Sequence, residues 1–431
     1  MNNKSKIIET VAAVLLAILA AGALIIYMGY QKVDNTVKLM DQADKEDVKN
    51  LVNENISEAT QSKLKEVWTV AIFGIDSRDD ENLSGSNSDV IIIASINNKT
   101  GDITLVSVYR DTCLKTGDNR YKKVNEAYAV GGPKMAIEVL NENLDLQIDD
   151  YLAVNWKAVA TAINLLGGID MEITDAELKY INGYITETVN STGIGSVQLK
   201  NTGLQHLDGV QAVAYSRIRY TAGNDFRRTE RQRDVIAALL EKAKKSNWET
   251  LNNIIVAVFP MTSSSIDTND VIDIAMNILK YKLVKTTGFP FEVKGKKVDK
   301  QDFVFPNTLT SNVAQLHLCL YGTENYQVSN AVAEISERIE RKYTGKSNNV
   351  SKPVTPPKES NEIEKTEESN HDVVVIESEV ETITPEVTDY EETTISEENY
   401  GPAFAATEAD VELETTEEIG PGILVEPPEA D

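Results

Sequence analysis

The chain has 431 residues and a formal net charge of −26, unevenly placed. Residues 346–431 carry 24 Asp and Glu against 4 Lys, a net of −20 that leaves only −6 for the preceding 345 residues. Such acidity disfavours nucleic acid as the main partner, and two cysteines with three scattered histidines lack the spacing of a zinc site.

Lys4 and Lys6 precede an uncharged run from Thr10 to Gln31, rich in Leu, Ile, Ala and Val. About 20 apolar residues span a bilayer as a helix, and short basic flanks stay on the cytoplasmic side. The expected order is a cytoplasmic N-terminus at 1–6, a transmembrane anchor at 7–31, and the rest outside the plasma membrane. Ala21-Gly22-Ala23 offers a cleaved signal peptide as the alternative; apolar residues continuing to Tyr27 and Met28 favour the anchor. Val33, Val37, Met40, Val48, Leu51 and Ile56 recur at loosely helical spacing, which predicts a helical stalk over 32–66. One globular portion is expected at 67–345. The tail at 346–431, rich in Glu, Thr, Ser and Pro, buries too little surface to offset its chain entropy and is expected to be disordered. Cys113 and Cys319 lie outside the cell on this reading; whether they pair stays open.

The globular portion opens as sheet. Trp68 to Phe73 is β-rich and stops before Asp76, Asp89 to Ile93 begins a second strand, and Ile103 to Val108 returns as a third into Arg110 and Asp111. Turn chemistry at 97–101 makes the second and third a hairpin. The start of one hairpin strand lies beside the end of its partner, so Asp89 is expected near Arg110 and Asp111. A first strand parallel to the third would bring Asp76 and Arg78 to the same edge. Helices then alternate with strands: helix at 133–143, strand at 151–155, helix at 156–166, strand at 169–173, and helices near 207–216 and 226–245. The pattern argues an α/β fold, an α/β/α sandwich around a central mixed β-sheet.

The densest chemistry is six arginines in the seventeen residues from Arg217 to Arg233. Arginine grips phosphate through a planar two-pronged fork. Arg228, Arg231 and Gln232 are spaced i, i+3 and i+4, so they share a helix face, in first turns whose amide dipoles favour an anion. Arg110, Arg217, Arg219, Arg228 and Arg231 are therefore candidate phosphate binders, against the duller reading of surface ion pairs. Arg227 and Arg233 point elsewhere on the helix and are expected in solvent. Asp76 and Asp89 are candidate ligands of a hard cation, or else simple loop and cap aspartates. No nucleophile elbow, P-loop or dinucleotide fingerprint occurs.

Taken together, these stretches resemble the LytR–CpsA–Psr family of cell-wall enzymes. The matching residues are Gly74 to Arg78, Ser88-Asp89, Ser107 to Thr112, Lys123 to Tyr128 with Gly131-Gly132, Ile148-Asp149, Leu166 to Asp170, Leu207 to Ala212, Arg217 to Arg219 and Asp225 to Gln232. They fall in order over roughly 67–245, and the remainder to about 345 resembles the rest of the same domain. The resemblance implies a Gram-positive-type enzyme that takes a glycopolymer from an undecaprenyl-pyrophosphate carrier and attaches it to peptidoglycan through a phosphodiester. It implies an apolar tunnel for the polyprenyl tail, Mg²⁺ (or Mn²⁺) on Asp76 and Asp89, and pyrophosphate on Arg110, Arg217, Arg219 and Arg228. Arg78, Arg231 and Gln232 would support that site, and Asp89 or Asp111 would assist deprotonation of the acceptor. A non-catalytic lipid-pyrophosphate-binding scaffold, or the same transfer to a protein acceptor, is the alternative. Two departures stand out. Tyr109 replaces the family's usual Pro, expected to alter the strand slightly. Asn87 replaces a common Arg at the pocket rim, and Arg227 in place of Gly is expected to compensate in part.

Overall fold

Consecutive apolar residues in the opening strands, such as Val90-Ile91-Ile92-Ile93, require cover on both faces of a sheet, because successive side chains point to opposite sides. The computed structural model supplies that cover. It describes residues 29–38, 41–42, 47–48, 50–51, 53–54, 56–76, 83, 85–221, 223–298 and 301–341. These fall within the first of two units, residues 1–362. The expected anchor up to residue 28, Arg78 and the acidic tail lie outside the described residues. Among those described, no helix is long and apolar enough to cross a membrane.

The strands are β1 (Asp41–Gln42), β2 (Val67–Ile75), β3 (Ser88–Asn97), β4 (Asp102–Val108), β5 (Cys113–Gly117), β6 (Arg120–Lys123), β7 (Asp150–Asn155), β8 (Ile169–Ile173), β9 (Gly203–Leu207), β10 (Thr262–Ser264), β11 (Lys282–Phe289), β12 (Val293–Val298) and β13 (Gln301–Pro306). The helices are α1 (Glu58–Leu64), α2 (Glu126–Leu144), α3 (Trp156–Leu165), α4 (Asp175–Thr192), α5 (Gly209–Arg217), α6 (Asn224–Lys244), α7 (Trp248–Val258), α8 (Thr268–Met276), α9 (Leu309–Tyr321) and α10 (Asn330–Ile339). Seven strands form one sheet in the order β1-β10-β7-β2-β3-β4-β11. It is mixed: β3 is antiparallel to β2 and β4, while β2 runs parallel to β7 and β4 to β11.

One face, with Phe73, Ile91, Ile93 and Val106, packs against Ile137 and Leu140 of α2, Leu316 of α9 and Ile335 of α10. The other, with Val70, Ile92, Ala94 and Leu105, packs against Ile255 of α7 and Val271 of α8. Helices α3 to α6 build a further core with β8 and β9. The expected α/β/α sandwich with a central mixed sheet is therefore present.

The stalk expected at 32–66 is corrected. Residues 29–37 are helical, but Val33 and Val37 bury against the sheet instead of standing free. Residues 41–42 join the sheet edge beside β10. Asn53 Nδ2 then donates to the Asn141 carbonyl at 2.8 Å, and Asn141 Nδ2 donates to the Leu51 carbonyl at 3.0 Å. Val33, Val37, Val48 and Leu51, among the apolar residues that suggested a stalk, dock this segment onto the domain. No disulfide joins Cys113, which is buried, and Cys319, which is half-buried.

Two glycines are fixed by close approach. Gly168, at φ +84°, turns α3 into β8 where a side chain would meet the His206 ring. Gly209 opens α5 so near α3 that a Cβ would lie 1.9 Å from the Ala160 carbonyl oxygen. The preceding Asp208 caps α5 in a reciprocal box with Gln211, which aims the end of α5, and so Arg217, at the sheet.

Candidate active site

Strand register assembles the site. Ile92 pairs with Ser107 across β3 and β4, and the same register carried outward sets residue 89 opposite residue 110. Ile75 pairs with Ser88 across β2 and β3, so Asp76 follows onto the same end of the sheet. Helix α5 delivers Arg217 and the loop after it delivers Arg219. The first turns of α6 deliver Asp225, Arg228 and Gln232.

Asp89 is the hub. Arg110 Nη1 donates to Asp89 Oδ1 at 2.8 Å, and Arg219 Nη2 donates to Asp89 Oδ2 at 2.9 Å. Arg228 Nη1 lies 3.9 Å from Asp89 Oδ2. Burial opposes ionisation of Asp89, but the charges of Arg110, Arg228 and Arg219 together hold its carboxyl below the ordinary value. Asp225 forms a second tier, 3.1 Å from Arg228 Nη2, 3.3 Å from Arg110 Nε and 4.0 Å from Arg219 Nε. Three guanidinium groups thus crowd these two carboxylates, and Arg110 Nε also lies 3.7 Å from Asp111 Oδ2. Arg228, only 3% exposed, is the most strained by this: burial, with Arg110 and Arg219 beside it, pulls its pKa down to about 10. Its Nε and the Gln232 Oε1 are buried without a hydrogen-bond partner.

Arg219 and Arg228 line a cavity of about 620 Å³ together with Asp76, Asp89 and Gln232, and Arg110 reaches it only through its bond to Asp89. Much of the rest of its wall is apolar: Ile72, Val90 and Ile92 from the sheet, and Val159, Val213 and Val235 from the helices. Trp156, Tyr180 and Tyr184 complete one side. Arg217 lies against that aromatic side, its guanidinium 3.5 Å over the Trp156 ring, with Nη2 2.9 Å from Glu187 and Nη1 donating to Thr188 Oγ1 at 2.8 Å. It faces the same cavity as Arg219 but already has partners of its own.

Several expected site residues stand elsewhere. Arg231, expected in the pyrophosphate site, is buried and bonds to Glu177, Ile218 and Thr221, because its side chain points into the gap between α4, α5 and α6. Asp111 adjoins the cluster, 3.7 Å from Arg110 Nε and 2.8 Å from Lys123 Nζ, but does not line the cavity. Arg233, expected in solvent, is buried and donates to Ser107 Oγ at 2.8 Å, since α6 lies flat on the sheet at that turn. Arg227 is held by Glu230 at 2.9 Å and does not line the cavity, so it does not compensate for Asn87. Tyr109 does more than alter the strand. Its backbone N–H donates to the Phe289 carbonyl at 2.9 Å, a bond proline cannot make, and its ring packs edge-on to Phe226 at 4.5 Å. Asp225 and Glu187 were missed as site residues. Asp225 was legible, being three residues before Arg228 on a helix; Glu187 was not, because α4 meets Arg217 only through the tertiary fold.

The donor set suits a hard cation in part. Asp76 and Asp89 line one cavity from neighbouring strands, and Asp89 is held ionised. Among the described residues, no group of three or more His, Cys, Asp or Glu could hold a metal alone. A cation here would complete its shell with phosphate oxygens and water, as Mg²⁺ commonly does.

A buried guanidinium N–H without a partner, beside a largely apolar cavity, suits an amphiphile with a phosphorylated head. The chain belongs to the LytR_cpsA_psr family, whose model matches residues 25–317. It is 29% identical over 297 residues to the polyisoprenyl-teichoic acid–peptidoglycan teichoic acid transferase TagU of Enterococcus faecalis, covering 67% of this chain and 89% of the relative. The protein of the same description from Halalkalibacterium halodurans is 30% identical over 220 residues, 50% of this chain and 64% of the relative. The fold is that of a Streptococcus agalactiae crystal structure, with a TM-score of 0.50 at 22% identity over 64% of this chain and 94% of the other.

Proposed function

We propose that this chain is a phosphotransferase that moves a glycopolymer from a polyprenyl-pyrophosphate carrier to peptidoglycan, leaving a phosphodiester link. The single observation that carries the reading is the junction of three arginines on Asp89 with an apolar cavity large enough for several isoprene units. The name of the Enterococcus relative describes the same donor and acceptor for teichoic acid.

On this reading the head group lies across Arg110, Arg219 and Arg228 and gives the Arg228 Nε–H the acceptor that it lacks within the protein, while Gln232 offers its side-chain amide N–H. The acceptor hydroxyl attacks the phosphorus that carries the sugar. The new O–P bond forms as the bond to the bridging pyrophosphate oxygen breaks; the lipid leaves as its monophosphate and the hydroxyl proton passes to solvent or a nearby carboxylate. Such transfer asks chiefly for positioning and charge stabilisation. Asp89 is a poor base, since three cations keep its proton affinity low; its work is to hold the arginine forks in place. Asp76 and Asp89 would hold Mg²⁺, which when bound neutralises phosphate charge. The apolar run at 10–31 would anchor the chain in the plasma membrane with the catalytic domain outside.

The test uses purified full chain in detergent with a lipid-pyrophosphate-linked sugar, Mg²⁺ and a peptidoglycan oligomer, followed by mass spectrometry. A sugar-phosphate adduct that disappears with EDTA and with Arg219→Ala is expected. Tight donor binding without an adduct under any condition would overturn the transferase reading.

A further inference from the structure

Arg231 is 2% exposed at the side chain, lies outside the cavity wall, and yet is among the largest buried side chains of the domain. All three of its nitrogens are engaged. Nε donates to Glu177 Oε1 at 2.8 Å, Nη1 to the Ile218 carbonyl at 3.0 Å, and Nη2 to Thr221 Oγ1 at 2.7 Å. Ile218 and Thr221 bracket Arg219 and Tyr220. The chain has just left α5 there, with Ile218 in an extended conformation at φ −58°, ψ 124°.

Glu177 is as fully committed. Its Oε2 accepts from the Thr174 backbone N–H at 3.0 Å and from Thr174 Oγ1 at 2.8 Å, closing the cap of α4, while Oε1 takes Arg231. Helix α4 also carries Tyr180 and Tyr184 of the cavity wall, and α6, which carries Arg231, presents Arg228 and Gln232. One buried ion pair therefore ties together the cavity wall, the helix of the phosphate-facing residues and the loop of Arg219.

We propose that Glu177, Arg231 and Thr221 are positioning residues that hold the 218–221 segment so that Arg219 meets the head group. The proposal rests on the reading that Arg219 grips a pyrophosphate. Arg219 needs such help most: at 38% exposure it is the freest of the three mouth arginines, and its one short bond is to Asp89. A long flexible side chain loses binding strength when its backbone root also wanders.

The experiment uses the full chain in detergent, octaprenyl pyrophosphate as the probe, and Thr221→Val, which removes one bond to Arg231 while keeping size. Binding is expected to weaken about tenfold, the scale of one hydrogen bond to a charged group, whereas Thr221→Ser, which keeps the hydroxyl, restores it. In an Arg219→Ala background, Thr221→Val is expected to cost nothing further, because the two act through one contact. An equal loss with and without Arg219, or no loss at all, would overturn the proposal. Hydrogen exchange supplies an arm independent of the ligand: amides of 218–221 are expected to exchange faster in Thr221→Val. If wild-type chain fails to bind the probe, the pyrophosphate reading falls, and unchanged exchange at 218–221 would then sink the positioning role separately.

Discussion

Two arginine assemblies meet α6 a few residues apart, at Arg228 and at Arg231, and behave oppositely. At the mouth, Arg110, Arg219 and Arg228 crowd two carboxylates, with Asp89 about a quarter exposed and Arg228 short of partners. Behind it, Arg231 faces one carboxylate in a closed, dry setting with every nitrogen engaged. The first leaves a guanidinium N–H without a partner that a bound anion would satisfy; the second is complete. An arginine's role here follows from whether its fork already has partners, and position on the helix face does not decide it. Arg228 and Arg231 share that face by spacing, yet one looks into the cavity and the other into the protein.

The sharpest way to break this comparison is to replace each arginine by methionine. Arg228→Met is expected to reduce transfer by about 10³-fold, the loss seen when a preorganised charge-stabilising donor is removed. Its melting temperature should hold or rise, because the folded state disfavours the Arg228 charge, as its pKa of about 10 records. Arg231→Met should do the reverse in stability, lowering it by about 3 kcal/mol by leaving buried Glu177 with only the more distant Arg227, 3.9 Å away, as a counter-charge. Glu177→Met added to it should recover much of the loss. Calorimetry and the adduct assay on the same four proteins check this; equal destabilisation by both arginine changes would erase the distinction.

Much of the mouth was legible because it depends on local rules. The hairpin from Ser88 to Val108 has turn residues at 97–101 between two apolar runs, and its register alone brings Asp89 to Arg110. The spacing of Asp76, Asp89 and Arg110 at strand ends could be drawn on paper. What escaped depends on how α4, α5 and α6 pack on one another. No local pattern says that Arg231 meets Glu177, 54 residues away, or that Arg233 reaches Ser107, 126 residues away. Residues 32–66 misled for a related reason. Val33 and Val37 have helical spacing in either a free stalk or a docked one, and only the apolar sheet face beside Val271 decides between them.

The apolar side of the mouth gives a smaller and separable effect. Val159 lines the cavity beside Trp156 on α3. Val159→Trp fills space that a polyprenyl tail would occupy, and should weaken octaprenyl pyrophosphate about tenfold by lost apolar burial. Inorganic pyrophosphate, which touches only the arginines, should bind as to wild type. Titration calorimetry with both ligands distinguishes the outcomes. Equal weakening of the two would mean that the cavity and the arginine cluster are not parts of one site.

The smallest effect concerns acid. Burial opposes the charge of Glu177, yet its cap bonds from Thr174 and its pairing with Arg231 hold the pKa below the ordinary 4.5. A carboxyl depressed on folding contributes stability that is complete above its unfolded value and is lost as pH falls through its folded one. The melting-temperature gap between wild type and Glu177→Gln should therefore be constant at neutral pH and narrow below about pH 4.5. Asp89, also depressed but open to solvent at the mouth, should show a weaker version of the same trend in Asp89→Asn, because screening by water reduces each ion pair's worth. Thermal melts from about pH 7 down to about pH 3 would measure both gaps. A Glu177 gap that stays flat across that range would mean that the buried pair stabilises through shape and hydrogen bonds alone, with its charge making no net contribution.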